Sequence, residues 1–244
     1  MNPLSRNLRS DVHVWTVRIR GDDACVARFR PVLSPQELDR ASRFRFENLR
    51  RDYLLKHGVQ RALLSRYLNA GPAEIGFEYG LYGKPGIATG PGDISFNQSD
   101  SAELAVFALA RDLELGVDIE CIREMQNLEQ ISEQYFSPEE YEELRGLPTP
   151  RLETAFFQTW TRKEAYVKAI GGGLQVPLRS FQVTSSGEPR IVQISGDELE
   201  STNWQIHSFL PAEGYVGALV YRSKRRRVRF FGVFEPSDFL DSNL

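Results

Sequence analysis

The chain has only two cysteines, Cys25 and Cys121, and no Cys-x-x-Cys spacing, which excludes a disulfide framework and a zinc knuckle. Histidine is as scarce. His13, His57 and His207 lie far apart, so neither a histidine-rich metal centre nor a Ser-His-Asp triad has local support, and each reads as structural. No run of about 18 apolar residues occurs, and Met1 to Arg6 lead into no hydrophobic signal core, so a cytoplasmic protein without a membrane partner is expected. Excess charge is also missing. A net charge of -3 and a pI near 5.8 do not describe a nucleic-acid binder. The one basic run, Lys224-Arg225-Arg226-Arg227-Val228-Arg229, reads either as a solvated turn and strand or as a docking surface for an acidic partner. No Gly-x-x-x-x-Gly-Lys-Ser/Thr phosphate loop is present.

What is there is a globular composition, 41% hydrophobic and 26% charged over 244 residues. This length can form one large domain or two halves of about 120 residues. Val12, Val14, Val17 and Ile19 mark an early strand, and Ser34-Pro35-Gln36-Glu37 opens a helix with a serine cap and a proline at its first position. Within residues 43–68, Leu54, Leu55, Val59, Leu63, Leu64 and Leu68 recur at helical spacing. Residues 69–93, with Gly83-Lys84-Pro85-Gly86, are crowded with glycine and proline and read as loop with short strands. Leu104–Leu109 reads as a buried strand that feeds a strand at Gly116–Glu120 through an Arg111-Asp112 turn, as a hairpin.

The second part repeats the plan. Ser137-Pro138-Glu139-Glu140 is another capped helix start, and Gly171-Gly172-Gly173 closes a later helix, as a plain stop or as a loop that lets a substrate approach. Trp204–Phe209 and Tyr215–Tyr221 flank a turn. The expected architecture is α+β, two pseudo-twofold-related halves, residues 1–112 and 113–244, each a long helix packed on a small antiparallel sheet. A chain already holding two such halves is expected to act as a monomer. Segment 121–145, with Met125, Leu128, Ile131, Tyr135 and Phe136, offers either a docking surface or core.

The chemistry concentrates in Gly116-Val117-Asp118-Ile119-Glu120 and in Trp160-Thr161-Arg162-Lys163-Glu164-Ala165-Tyr166-Val167-Lys168. On a strand, Val117 and Ile119 enter the core while Asp118 and Glu120 emerge together on the other face, roughly 6.5 to 7 Å apart at Cα. The same pattern describes any strand with one solvated face. On the helix the apolar stripe runs Phe156, Trp160, Val167, Ile170, with Lys163 in its middle, where an ammonium either snorkels or meets an anion. Glu164 four residues before Lys168 is the favourable order for a surface ion pair. Together, three acids and two lysines suggest a metal-assisted phosphate site, since magnesium is held by one or two carboxylates plus substrate phosphates.

Gly83-Lys84-Pro85, Phe96-Asn97-Gln98-Ser99-Asp100-Ser101, Gly116 to Glu120, and Trp160 to Lys168 followed by Gly171 to Pro177 form an ordered set. In this set the chain resembles the 4'-phosphopantetheinyl transferase superfamily, in the surfactin-synthetase activator type that holds two pseudo-equivalent halves in one chain. The resemblance spans about Arg40 to Tyr221. It implies transfer of the phosphopantetheine arm of coenzyme A to a serine of an apo acyl or peptidyl carrier protein, with release of 3',5'-ADP. It implies Mg2+ at Asp118, Glu120 and Glu164, phosphate contacts from Lys84 and Lys168, and donor contacts from Arg40, Ser99 and Asp100. Glu164 and Lys168 take the catalytic roles.

One residue departs from the family pattern. The family reads Asn-x-Ser-His-Ser where this chain has Asn97-Gln98-Ser99-Asp100-Ser101, and an aspartate beside a phosphate is repulsive unless neutralised or turned away. The expectation is compensation by arginines of the long helix, Arg50 and Arg51. The competing readings are a different loop path and a non-catalytic homologue that binds carrier protein or coenzyme A without transfer.

Overall fold

The computed structural model describes residues 3–90 and 92–240. The chain begins with α1 (Pro3–Asn7), β1 (Asp11–Arg18), α2 (Asp23–Phe29), α3 (Pro35–Ser42) and α4 (Glu47–Ser65), followed by β2 (Phe77–Tyr79), β3 (Pro85–Ile87), β4 (Ile94–Ser101) and β5 (Leu104–Arg111). It continues through β6 (Leu115–Cys121), α5 (Leu128–Tyr135), α6 (Pro138–Arg145) and α7 (Thr149–Ile170). The remainder is β7 (Phe181–Val183), β8 (Ile191–Ile194), α8 (Glu198–Ser201), β9 (Trp204–Phe209), β10 (Tyr215–Arg222) and β11 (Arg227–Phe234). The fold is α+β.

Both serine motifs close full capping boxes. The Ser34 and Ser137 hydroxyls accept from the backbone N–H of Glu37 and Glu140, whose carboxylates accept in return from the serine N–H groups. At the other end of α7, Gly171 adopts φ 66°, the left-handed conformation that glycine takes without penalty.

Two sheets stack face to face between the long helices. The first has the order β11-β1-β5-β4 and the second β6-β10-β9. Period-two alternation sorts the side chains between layers. Trp15 and Val17 of β1 and Ala105, Phe107 and Leu109 of β5 pack with the apolar face of α4. Their neighbours Val12, Val14, Leu104, Val106, Ala108 and Ala110 turn the other way, onto Leu115, Val117 and Ile119 of β6 and Leu219 and Tyr221 of β10. Ala218 and Val220 of β10 then face α7 through Ala165, Tyr166, Val167 and Ala169. The order of layers is α4, first sheet, second sheet, α7. The even-numbered residues of β6, Gly116, Asp118 and Glu120, therefore belong to the side that meets α7.

The hairpin expectation is corrected. β5 and β6 are not a hairpin: β5 pairs with β1 and β4, and β6 pairs with β10, because the three-residue link carries the chain from one sheet to the other. β11 returns to the first sheet beside β1 as its one parallel neighbour, so the division at residue 112 is crossed by the last strand. In segment 121–145, Leu128 and Phe136 are buried, and Met125 and Ile131 pack against them, because α5 and α6 cover one side of α7; Tyr135 stays partly exposed.

Lys163 meets an anion. Its ammonium is fully buried, 2.8 Å from Glu140 Oε2, and donates to the carbonyls of Leu178 and Phe181. Glu140 closes the cap of α6 and also accepts from the Val183 N–H, so one buried charge pair joins α6, α7 and β7. The basic run is partly committed: Arg226 donates to the Arg111 carbonyl and Arg229 pairs with Asp11, while Lys224 and Arg225 are exposed.

Candidate active site

Gly116 decides how the site is assembled. A Cβ at this position would stand 2.1 Å from the Ala165 carbonyl oxygen and 2.4 Å from the Ala169 nitrogen, so only glycine lets α7 lie directly on β6. That approach brings Lys168 onto the carboxylates that β6 projects. Lys168 Nζ donates to Asp118 Oδ1 at 2.7 Å and to Ser99 Oγ at 2.9 Å, and Ser99 donates to the same Asp118 oxygen at 2.7 Å. The surface pair of Glu164 with Lys168 is not formed, because Lys168 reaches across to β6.

Strand β4 fastens the arrangement from the other sheet. Asn97, Ser99 and Ser101 share one strand face. Asn97 Oδ1 accepts from the Val117 N–H at 2.9 Å, and Ser101 Oγ donates to Glu120 Oε2 at 2.7 Å and accepts from the Cys121 N–H at 3.1 Å. The family resemblance assigns Ser99 a part in donor binding and leaves Asn97 and Ser101 without a role. Its available signal was three polar residues at period two in an otherwise buried strand.

Asp118, Glu120 and Glu164 line one cleft of about 370 Å³ together with Ser99, Asp100 and Lys168. Burial pushes the Asp118 carboxyl above its ordinary pKa in spite of Lys168 and Ser99, and Glu120 adds repulsion. Glu164 is raised as well, first by burial and then by Asp118. Asp118 Oδ2 is buried without a hydrogen-bond partner. Such an oxygen, among carboxylates that repel one another, suits a cation. Among the described residues, however, no three acid, histidine or cysteine side chains converge into a metal cage. The donor set fits a hard ion that keeps waters and takes further oxygens from a bound phosphate, the usual manner of magnesium.

Through Gln98, Trp160, Glu164 and Lys168 this acidic cleft continues into a larger, mainly apolar one of about 760 Å³ that includes Tyr82, Tyr135 and Leu174. Gly171 and Gly173 line it, so the glycine run both ends α7 and forms cleft wall.

The other site residues fall as follows. Lys84 borders the larger cleft, but its ammonium donates to the carbonyls of Leu115 at 3.0 Å and Ala169 at 2.8 Å, and burial pushes its pKa down to about 8. It bolts the loop before β3 across the junction of β6 with α7. Arg40 is exposed, lies outside these clefts and stacks over Tyr53, 5.7 Å from the ring centre. Asp100 is neutralised by a lysine, not by the expected arginines. Lys56 Nζ lies 2.6 Å from Asp100 Oδ1, whereas Arg50 pairs with Glu47 and Arg51 with Asp23.

Residues 114–220, from the edge of β6 through β10, match the family model described as the 4'-phosphopantetheinyl transferase superfamily. Over 215 residues the chain is 32% identical to the 4'-phosphopantetheinyl transferase HetI of Nostoc sp. (strain PCC 7120), covering 87% of this chain and 88% of that protein. The chain belongs to the 4'-phosphopantetheinyl transferase superfamily. The transferase Sfp of Bacillus subtilis (strain 168) is 32% identical over 156 residues, 64% of this chain and 68% of Sfp. A crystal structure of the holo-[acyl-carrier-protein] synthase of Thermotoga maritima overlaps 46% of this chain and 63% of that one, at 19% identity and a TM-score of 0.34. Within this transferase the family-model match contains Asp118, Glu120, Glu164 and Lys168, while β4 and Lys56 lie outside it.

Proposed function

We propose that the protein transfers the 4'-phosphopantetheine arm of coenzyme A to a serine hydroxyl of an apo acyl or peptidyl carrier protein, with Mg2+ and with release of 3',5'-ADP. The observation that carries this reading is the cleft that Asp118, Glu120, Glu164 and Lys168 line together, with Lys168 bonded to Asp118, which continues into a mainly apolar cleft of about 760 Å³. Asp118, Glu120 and Glu164 would hold the metal, which when bound supplies charge neutralisation for the diphosphate.

The serine oxygen forms the new bond to the phosphorus bearing the pantetheine, and the bond from that phosphorus to the diphosphate bridging oxygen breaks. Glu164, which lines the cleft beside Asp118, takes the serine proton, directly or through a metal-bound water. Lys168 stabilises the oxygen that leaves with 3',5'-ADP. Asn97, Ser99 and Ser101 keep both sheets in register beneath these groups. Positioning and electrostatics supply the rate, as in other phosphoryl transfers. Asp100 speaks for a non-transferring homologue only while its charge is bare, and Lys56 meets that charge.

We take the enzyme to work as a monomer in the cytoplasm, without nucleic acid or membrane, on its composition and two-sheet architecture; no described helix is long and apolar enough to cross a membrane. The test is mass spectrometry of an apo carrier protein incubated with the chain, coenzyme A and Mg2+. The carrier is expected to gain one phosphopantetheine with stoichiometric 3',5'-ADP, and to stay unmodified when a chelator replaces Mg2+. An unmodified carrier at high enzyme concentration with Mg2+ present would overturn the proposal.

A further inference from the structure

Strand β6 is an edge of the second sheet and β4 an edge of the first, and side chains of β4 meet β6 where a backbone partner would otherwise stand. Asn97 and Ser101 accept from the Val117 and Cys121 N–H groups. Ser99 and Ser101, two residues apart on β4, also donate to Asp118 and Glu120, two residues apart on β6, at 2.7 Å each. Holding the two edges together needs only bonds of the first kind. Bonds of the second kind fix carboxylates.

The Ser101 hydroxyl has a single proton. Because its oxygen accepts from the Cys121 N–H, that proton is committed to Glu120 Oε2. Arg123 reaches the same oxygen at 3.3 Å from a side chain that is more than half exposed, so the described bonds to this carboxylate gather on Oε2 and leave Oε1 free at the cleft that Glu120 lines. Asp118 repeats the arrangement, with Ser99 and Lys168 both on Oδ1 and Oδ2 without a partner. The two acids differ in how firmly they are held. The Asp118 side chain is 8% exposed and walled in, whereas that of Glu120 is longer and 24% exposed, with more rotamer freedom, so its direction depends on its hydrogen bonds.

Resting on the proposed Mg2+-dependent transfer, we infer that Ser101 is a positioning residue for that reaction: by fixing one oxygen of Glu120 it keeps the other available, and so sets how tightly a hard divalent cation is held beside Asp118. A carboxylate already oriented gives up little freedom when an ion arrives, and hydrogen bonds that orient a metal ligand are worth about 10- to 100-fold in metal affinity.

The experiment measures Mn2+ binding by electron paramagnetic resonance, with saturating coenzyme A and no carrier protein, against coenzyme A alone, for the wild type, Ser101→Ala, Ser101→Thr and Asn97→Ala, with urea denaturation of each. Ser101→Ala is expected to raise the Mn2+ Kd about tenfold, and Ser101→Thr, which keeps the hydroxyl, to recover most of that loss. Asn97→Ala removes a tie between the same two strands that touches no carboxylate, so it should lower stability and leave the Kd near that of the wild type. A Kd unchanged in Ser101→Ala, or raised equally by Asn97→Ala, would overturn the inference and leave Ser101 a structural tie alone. Binding is read without turnover, so this outcome stands apart from the transfer assay; a wild type that binds no Mn2+ would instead remove the metal reading itself, and the inference with it.

Discussion

At Asp118, a single carboxylate is asked to be both a buried group and a charged one. It is 5% exposed, bonded through one oxygen to Lys168 and Ser99, and unpartnered at the other. Asp118→Asn keeps the shape but removes the charge, so transfer should fall about a hundredfold or more with melting shifted by only a few degrees. Equal loss of folding and activity would mark the residue as structural. Asp100→His should leave coenzyme A binding unchanged or tighter by calorimetry, because it removes a negative charge from the cleft wall; clear weakening would show that the ion pair of Asp100 with Lys56 shapes the binding site. The Asp-x-Glu pair was legible because strand alternation acts locally. Lys56 was not, because an ion pair between α4 and β4 depends on how distant elements pack, and spacing along the chain carries no trace of it.

Among elements, the contact of α7 with β6 has the least tolerance. Gly116→Ala places a methyl group inside backbone distance of α7, and overpacking of this kind costs about 1 to 3 kcal/mol. Urea denaturation should show that loss, together with a larger fall in kcat than in donor affinity, since Lys168 and Glu164 retreat from Asp118. The Lys163–Glu140 pair gives a second test. Lys163→Met strands a buried carboxylate and should cost about 3 to 5 kcal/mol, while adding Glu140→Gln should recover much of it. Recovery short of about 1 kcal/mol would show that the link from Glu140 to the Val183 N–H dominates. Capping boxes, the β9–β10 hairpin and the α7 stop were readable because each is written in adjacent residues. The β5–β6 link misled because a short polar turn looks alike whether the next strand pairs with its predecessor or leaves for another sheet.

For the molecule as a whole, stability should weaken on mild acidification. His13 and His57 are both pushed down to about 4 by burial, from an ordinary value of 6.5. Above pH 6.5 neither state is protonated, and between 6.5 and 4 the unfolded chain binds protons that the fold refuses, so stability drops as pH falls and levels off below 4. Each histidine contributes a slope of at most about 1.4 kcal/mol per pH unit. Asp118 and Glu164, raised in the fold, act in the opposite direction, so the clean readout is the difference between wild type and His13→Gln in urea at pH 7.5 and pH 5. That difference should shrink by on the order of 1 kcal/mol or more on acidification; a difference that does not change with pH would assign His13 no share.

The return of β11 to the first sheet has a consequence for synthesis. Phe231 stacks on Trp15 with ring centres 3.9 Å apart, and Phe234 packs against the same indole, so the earliest strand waits for one of the last to be translated. A nascent chain paused after α7 already owns every acid and lysine of the cleft, yet β1 still shows an open edge to the ribosome exit and to chaperones. Maturation of this transferase is therefore a clasp fastened late, and a premature stop anywhere before Arg227 should yield an aggregation-prone product rather than a smaller working enzyme.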